Sequence, residues 1–215
     1  MTNHHLIIVG AGGFGRETLD VVAASNSSGI GDKFELLGIV DSAPSLANLA
    51  RLAARGIPYL GTVSDWLATG HSAQYLIGIG SPIAREQLDR QFQAVGLSAA
   101  TVVHPAATIG SSVRIDDGAV VCAGVQVSTN VVVGRHVHLN PNSTIGHDSV
   151  LHDFVSVNPA ATISGDVVVG SRSMIGAAAV ILQGLTVGTD AIVGASSCVV
   201  RNVESGLTVK GVPAG

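Results

Sequence analysis

A histidine followed directly by an aspartate is the pair of residues in this chain best suited to acid–base chemistry. His147 and Asp148 come immediately after Gly146. A carboxylate beside an imidazole can fix the tautomer of the ring and stabilise its protonated form. An imidazole with a pKa near 7 can take the proton that an amine or a hydroxyl loses when it attacks an acyl group. From these residues alone, a general base and an exposed turn histidine are equally good interpretations.

A glycine-rich loop near the N-terminus is the second candidate for chemistry. Its sequence, Gly10-Ala11-Gly12-Gly13-Phe14-Gly15, fits the pattern GxGxxG. Such a loop lets a pyrophosphate approach the backbone and opens a helix whose N-terminus favours anions. Asp41 closes the next aliphatic run and can accept hydrogen bonds from a ribose or a base, and Gly80 closes the third run. A tight turn without a ligand and a site for NAD are the alternatives.

The elements around this loop alternate between strand and helix patterns over residues 1–100. Aliphatic runs predict strands at Leu6–Val9, Leu37–Val40 and Tyr75–Ile79, and helical spacing follows the first and the third. This alternation predicts a small Rossmann-like domain with a parallel sheet of about four strands. Because that is about half of a full dinucleotide fold, a nucleotide sugar fits the space better than NAD does.

Residues 101–215 follow a different period. Every sixth residue from Val103 to Val199 is Val, Ile or Leu, without an insertion. This pattern predicts a solenoid in which each hexad makes one short strand and one turn, and three hexads make one coil. The aliphatic residues stack inside, and glycines after them allow tight turns. In this register His147 lies at a turn and points outward.

The composition limits the classes of function. The chain has 215 residues, a net charge of −4 and 12% charged residues. The negative charge argues against nucleic-acid binding, and the high aliphatic content argues against disorder. No apolar stretch has the length of a membrane span or of a signal segment, so we expect a cytoplasmic protein.

The glycine loop with the following Arg16-Glu17, the N-terminal domain of about 100 residues and the repeat containing Asn140 and Gly146-His147-Asp148 together resemble the PglD/NeuD-like sugar acetyltransferases. The resemblance covers essentially the whole chain. It implies a left-handed parallel β-helix, a homotrimer with active sites between subunits, and acetyl-CoA as the co-substrate. It further implies N-acetylation of a nucleotide-linked 4-amino-4,6-dideoxyhexose for surface glycan or O-antigen synthesis.

The resemblance also assigns roles to individual residues. His147 matches the general base and Asp148 the acid that orients it. The nucleotide-sugar site takes Gly10, Gly12, Gly13, Phe14, Gly15, Asp41 and Gly80. The acetyl-CoA contacts fall on Asn140, Ser156, Gly165, Ala177, Ala195 and Lys210. Ser156 departs from the pattern, because many members carry a second histidine there that contacts the acetyl donor.

Three other functions compete with this one. An O-acetyltransferase acting on sialic acid or another glycan hydroxyl needs the same base. A non-catalytic trimeric scaffold that senses nucleotides explains the fold but not the His147–Asp148 pair. A zinc site of the γ-carbonic-anhydrase type has the right spacing in His147 and His152. Its third ligand, however, would fall on Ser111 or Thr129, which are poor zinc ligands, so we expect no metal.

Overall fold

The computed structural model of the chain describes residues 3–29 and 33–215. The chain divides into two compact units between Val102 and Val103. Each unit has its own architecture. Among the described residues, no helix is both long and apolar enough to cross a membrane.

The first unit alternates strands and helices. Its elements are β1 (Asn3–Val9), α1 (Gly13–Ser28), β2 (Lys33–Val40), α2 (Leu46–Ala53), α3 (Val63–Ala68), β3 (Gln74–Ile77) and α4 (Pro82–Ala94). Strand β1 lies in the centre of a parallel sheet of order β2-β1-β3. Because the chain leaves β1 toward β2 and later returns on the other side as β3, the crevice outside the carboxyl ends of β1 and β3 is a topological switch point. Open α/β sheets bind ligands at such crevices.

The sheet is narrower than the sequence predicts. We expected about four strands, whereas the described residues form three. Tyr59 and Ala99 each extend the sheet by a single isolated bridge, to Ile39 and Tyr75 respectively. A single bridge involves only one residue pair and produces no alternation of buried and exposed residues along the chain. The periodicity of the sequence therefore does not predict the bridges of Tyr59 and Ala99 at the edges of the sheet.

The second unit is a parallel β-helix whose two-residue strands form three sheets, S1, S2 and S3. Sheet S1 contains β4 (Val102–Val103), β7 (Val120–Val121), β10 (His138–Leu139), β13 (Ser156–Val157), β16 (Met174–Ile175), β19 (Ile192–Val193) and β21 (Thr208–Val209). Sheet S2 contains β5 (Thr108–Ile109), β8 (Gln126–Val127), β11 (Thr144–Ile145), β14 (Thr162–Ile163), β17 (Val180–Ile181) and β20 (Cys198–Val199). Sheet S3 contains β6 (Arg114–Ile115), β9 (Val132–Val133), β12 (Val150–Leu151), β15 (Val168–Val169) and β18 (Thr186–Val187).

The aliphatic residues that recur every six positions are the second residues of strands β4 to β20. From Val121 to Val199 all of them are buried. Those of the first coil are partly exposed, and Ile109 keeps 37% of its surface in contact with solvent. An end coil is covered by one neighbouring coil instead of two, so its core residues stay more accessible.

The corners between the sheets combine glycines with left-handed residues. Gly146 has an ordinary backbone conformation, but a Cβ there would overlap the backbone of Ser164 and Gly165 in the next coil. Gly146 therefore allows close stacking of coils, and the turn conformation that we expected from glycine falls instead on a residue two positions later. Asp148, with a φ of 61°, takes it at this corner. Asp and Asn tolerate this conformation better than most residues.

The last coil departs from the repeat. Strand β19 pairs with β21 in a register that places Ile192 beside Thr208, a step of sixteen residues, whereas Met174 and Ile192 are eighteen apart. Val203 makes an isolated bridge to Val187 in the same shortened step. The coil thus closes with two residues fewer than the coils before it.

Candidate active site

His147 lies at the corner between S2 and S3, immediately after β11. Its Nδ1 is 2.7 Å from Oδ2 of Asp148, and the side chains of both residues are 52% exposed. The pair is therefore open to a ligand and is not packed into the core. The outward orientation predicted from the repeat register agrees with this exposure.

The protonation state of Asp148 fixes the tautomer of the histidine. Hydrogen bonds from His147 and, second, from Asn130 hold the pKa of the Asp148 carboxyl below its usual range. An ionised carboxylate only accepts hydrogen bonds, so Nδ1 of His147 carries the hydrogen and donates it. Nε2 then has the lone pair and is the ring atom that can take a proton from a substrate.

Gly165 provides the space for the His147 ring. It lies at the same corner in the following coil, and a Cβ built on it would lie 2.5 Å from both Cε1 and Nε2 of the imidazole. The ring therefore rests against the backbone of the next coil. The sequence predicts Gly165 as an acetyl-CoA contact, and the structure gives it a further role beside the base.

Asn130 completes this corner from the preceding coil, and the sequence analysis missed it. Its Nδ2 donates to Oδ1 of Asp148 at 3.0 Å. The signal was available, because Asn130 and Asp148 are eighteen residues apart and coils of that length stack such positions. Three successive coils thus contribute Asn130, the His147–Asp148 pair and Gly165.

Four of the predicted acetyl-CoA residues lie at a different corner, between S1 and S2. Asn140 follows β10, and its Nδ2 donates to the Val157 carbonyl at 3.0 Å, a bond between coils. Ala177 and Ala195 are exposed at this corner, and Lys210 follows β21 beside Gly194. The remaining residue, Ser156, is buried in β13 of sheet S1.

The structure therefore separates the predicted residues of the solenoid into two groups. The base, its carboxylate and Gly165 occupy the S2–S3 corner, whereas Asn140, Ala177, Ala195 and Lys210 occupy the S1–S2 corner. Sheet S2 lies between the two corners.

In the first unit, two glycines of the loop serve the packing of the protein itself. Gly10 has a φ of 109°, which favours glycine, and a Cβ on Gly15 would overlap the carbonyl oxygen of Gly10. A Cβ on Gly78, just after β3, would lie 2.5 Å from the Cα of Gly15. These close contacts bring the start of α1 against the carboxyl ends of β1 and β3.

The other glycines are not required by the packing of the chain. A Cβ on Gly12, Gly13 or Gly80 would meet no other atom within 4 Å. Gly12 caps α1, and Phe14 lies in its first turn, half buried. The space beside Gly12 and Gly13 is therefore open at the N-terminus of α1, the end of a helix that favours an anion.

Asp41 is bonded to this loop. Its Oδ2 accepts from the backbone N–H of Ala11 at 2.7 Å, and its Oδ1 accepts from that of Ala43 at 2.9 Å. The carboxylate thus links the end of β2 to the glycine loop. Asp41 therefore lies beside the glycine loop, and its bond to Ala11 gives it a structural role.

Arg85, which sequence analysis did not single out, supports the other side of the crevice. It is fully buried in α4, and its NH1 donates to the carbonyls of Ile79 and Gly80 at 3.0 Å each. Burial lowers its pKa to about 9, so it remains cationic at neutral pH. These bonds hold the segment that contains Gly80.

The described part of the chain contains no candidate set of metal ligands. No group of three or more His, Cys, Asp or Glu side chains there could hold a metal ion. His147 and His152 lie at different corners of the solenoid, since His152 follows β12 in sheet S3.

Comparison with known proteins relates both units to one family. The family model of the PglD N-terminal domain matches residues 5–92. GDP-perosamine N-acetyltransferase of Escherichia coli O157:H7 is 30% identical over 149 residues, which cover 69% of this chain and 65% of that protein.

Solved structures match over nearly the whole length. A histidine-to-asparagine mutant of perosamine N-acetyltransferase from Caulobacter crescentus, in complex with CoA and GDP-perosamine, is 29% identical with a TM-score of 0.86; the match covers 98% of this chain and 95% of that one. The acetyltransferase domain of PglB from Neisseria gonorrhoeae, in complex with acetyl coenzyme A, is 30% identical with a TM-score of 0.84, covering 100% and 99%.

These matches confirm the fold class predicted from the sequence, a small Rossmann-like domain followed by a left-handed parallel β-helix. They also confirm the predicted enzyme class, since the relatives are acyltransferases that use CoA. The chain therefore belongs to the PglD/NeuD-like family of hexapeptide-repeat nucleotide-sugar N-acetyltransferases.

Proposed function

We propose that the protein transfers an acetyl group from acetyl-CoA to the amino group of a nucleotide-linked 4-amino-4,6-dideoxyhexose, for the synthesis of a surface glycan. The observation that carries this proposal is the His147–Asp148 pair, exposed at a corner of the solenoid with a contact of 2.7 Å. The relatives from Escherichia coli and Caulobacter crescentus are named for N-acetylation of perosamine, which supports an amine acceptor.

The reaction follows from the protonation state of the pair. The sugar amine attacks the thioester carbonyl of acetyl-CoA and forms a C–N bond, giving a tetrahedral oxyanion. Nε2 of His147 takes the proton that the nitrogen loses, while Asp148 stabilises the imidazolium through Nδ1. The C–S bond then breaks, and the CoA thiolate leaves and takes up the proton.

The first unit holds the nucleotide in this proposal. A diphosphate has room at Gly12 and Gly13, beside the N-terminus of α1, the end of a helix that favours negative charge. Gly80 and Asp41 flank the same crevice at the ends of β3 and β2. Because no positively charged side chain is needed for a backbone site of this kind, the low number of basic residues is compatible with it.

Acetyl-CoA binds at the S1–S2 corner in this proposal, beside Asn140, Ala177, Ala195 and Lys210, with Ser156 on the adjoining sheet. Since the base lies at the S2–S3 corner of the same solenoid, the complete site combines two subunits. A closed homotrimer supplies each corner with a partner. Acetyl-CoA and nucleotide sugars are both cytoplasmic metabolites, and the proposal places the enzyme there.

Ligand-induced thermal stabilisation tests the proposal. The full-length protein is heated with GDP-, UDP- and dTDP-linked 4-amino-4,6-dideoxyhexoses, with NAD, and with each of them plus CoA. We expect one nucleotide sugar and CoA to raise the Tm, since a ligand at about 100 times its Kd stabilises by about 2.7 kcal/mol. Stabilisation by NAD alone would contradict the proposal.

Turnover provides the second test. The stabilising amino sugar is mixed with acetyl-CoA, and the release of free thiol is measured together with the mass of the sugar product. A gain of one acetyl group on nitrogen supports the proposal. Acetylation of a hydroxyl would make the protein an O-acetyltransferase, and binding of both ligands without any product would make it a sensor; either result overturns the proposal.

A further inference from the structure

The Asp148 carboxylate is held from two sides, and one of the two donors lies outside the pair. Oδ2 faces Nδ1 of His147 at 2.7 Å, and Oδ1 accepts from Nδ2 of Asn130 at 3.0 Å. We infer that Asn130 is a positioning residue for the general base, acting through Asp148 from the preceding coil. This inference rests on the proposed function, because it assigns Asn130 a part in the same reaction.

The backbone fixes Asn130 relative to Asp148. Both residues have left-handed conformations, with φ of 58° and 61°. Asp148 N donates to the Thr129 carbonyl at 3.1 Å, and Asn130 N donates to the Ser111 carbonyl at 3.0 Å. The backbones of the two residues therefore occupy equivalent positions in adjacent coils. From there the short side chain of Asn130 reaches the Asp148 carboxylate.

The position of the amide decides how the carboxylate can rotate. An exposed aspartate with one partner can turn about its side-chain bonds and present either oxygen, or neither, to the histidine. With Oδ1 bonded to Asn130, Oδ2 stays directed at Nδ1. The hydrogen of the imidazole is then kept on Nδ1, and the lone pair stays on Nε2, the atom that takes the proton of the substrate.

Few other charges act on this pair. The preceding coil contributes Thr129 and Asn130 to the corner, and the coil before that contributes Ser111; all three side chains are uncharged. The following coil contributes Gly165 and Asp166, and Asp166 is an exposed carboxylate whose N–H donates to the His147 carbonyl at 2.8 Å. Asp148 and Asp166 are therefore the carboxylates at this corner, and a negative charge introduced at position 130 would add a third beside His147.

A purely structural role for Asn130 is the competing interpretation. Asn is common in the left-handed conformation, and glycine would serve the backbone as well. Ser112 has the same conformation at the same corner one coil earlier, with a φ of 59°. If position 130 needs only a residue that tolerates this turn, the variants Asn130→Gly and Ser112→Gly should behave alike.

The test combines ring NMR with kinetics on the full-length protein. In Asn130→Gly we expect a lower fraction of the Nδ1–H tautomer, from the ¹⁵N shifts of the His147 ring, and kcat about 3- to 10-fold lower with little change in KM. In Asn130→Asp the added negative charge favours the protonated imidazole and should move the acidic limb of kcat/KM to higher pH. Ser112→Gly should match the parent.

The outcomes are separable. Unchanged ring shifts in Asn130→Gly, together with an unmoved acidic limb in Asn130→Asp, would overturn the inference, as would an equal effect of Ser112→Gly. If the ring parameters change as expected but the parent enzyme transfers no acetyl group to any amino sugar, the role of Asn130 in orienting the pair stands and the proposed function fails.

Discussion

At the scale of single residues, the charge of Asp148 determines the chemistry of His147. Because hydrogen bonds from His147 and Asn130 hold the carboxyl pKa below its usual range, Asp148 stays ionised at neutral pH. The ionised carboxylate favours the folded state at pH values above the ordinary carboxyl pKa. This contribution is lost as the pH falls through the lowered folded-state value of Asp148.

The first prediction concerns the variant Asp148→Asn. Removing the negative charge disfavours the protonated imidazole, so the acidic limb of kcat/KM moves to lower pH, and kcat falls about 10- to 100-fold because the tautomer is no longer fixed. The measurement is a pH profile at constant ionic strength, with the parent as reference. An acidic limb that stays in place would show that Asp148 does not act on the titrating group.

The sequence predicts this site in part. The hexad register places His147 at an outward turn, and the adjacent Asp148 is visible by inspection. Asn130 and Gly165 were not recognised as its neighbours, although each lies one coil of eighteen residues from a member of the pair. The contact geometry of Gly165, where a Cβ would meet the imidazole, depends on the rotamer of His147 and cannot be read from spacing.

At the scale of elements, the corners of the solenoid use glycine in two ways. A Cβ on Gly170, at the S3–S1 corner, would overlap the backbone of Gly188 and Thr189 in the next coil. At Gly165 the obstacle is the ring of His147, the end of a side chain that can rotate. Backbone in a stacked coil cannot move without disturbing its ladder, whereas a ring can, so the two glycines should differ in what their substitution costs.

The second prediction compares these two glycines. Gly170→Ala should lower the free energy of unfolding by about 1–3 kcal/mol, because it forces two coils apart. Gly165→Ala should leave the Tm near that of the parent but lower kcat about 10-fold, because the Cβ displaces Nε2 from its place. Thermal unfolding and steady-state kinetics distinguish the cases. A large loss of stability in Gly165→Ala would contradict a role through His147.

The third prediction compares two glycines of the glycine-rich loop in the first unit. A Cβ on one would lie in open space, and a Cβ on the other would meet backbone. Gly13→Ala adds a Cβ in open space at the start of α1, so we expect unchanged stability but a KM for the nucleotide sugar about 10-fold higher. Gly15→Ala puts its Cβ onto the Gly10 carbonyl and should destabilise the protein by about 3 kcal/mol. If Gly13→Ala left the KM unchanged, the nucleotide would not approach this part of the loop.

The elements differ in how well sequence predicts them. Hexad periodicity gives every strand from β4 to β20, because the same aliphatic position is buried in each coil. The bridges of Tyr59 and Ala99 leave no periodic signal. The shortened final step to β21 breaks the period itself, since Thr208 is sixteen residues from its partner Ile192.

At the scale of the whole molecule, the separation of the two corners has a consequence for assembly. The residues assigned to the base and those assigned to acetyl-CoA project from the two ends of sheet S2. In a closed ring of identical subunits, the S2–S3 corner of each chain contacts a different surface of the next chain. The same contact is then repeated at every subunit interface. In the proposed homotrimer, each active site therefore needs an intact base from one chain and an intact acetyl-CoA corner from another.

The fourth prediction is that two inactive variants complement each other. His147→Asn removes the base and should lower kcat about 100-fold, the lower end expected for a general base with an amine acceptor. Ala177→Trp fills the exposed S1–S2 corner and should block acetyl-CoA. In mixed trimers, about one interface in four pairs two intact corners, so mixing unfolded chains and refolding them together should restore about a quarter of the parent activity. Native mass spectrometry verifies the mixed trimers, and each variant refolded alone is the control. Mixed trimers without activity would place both groups of residues in one chain's own site.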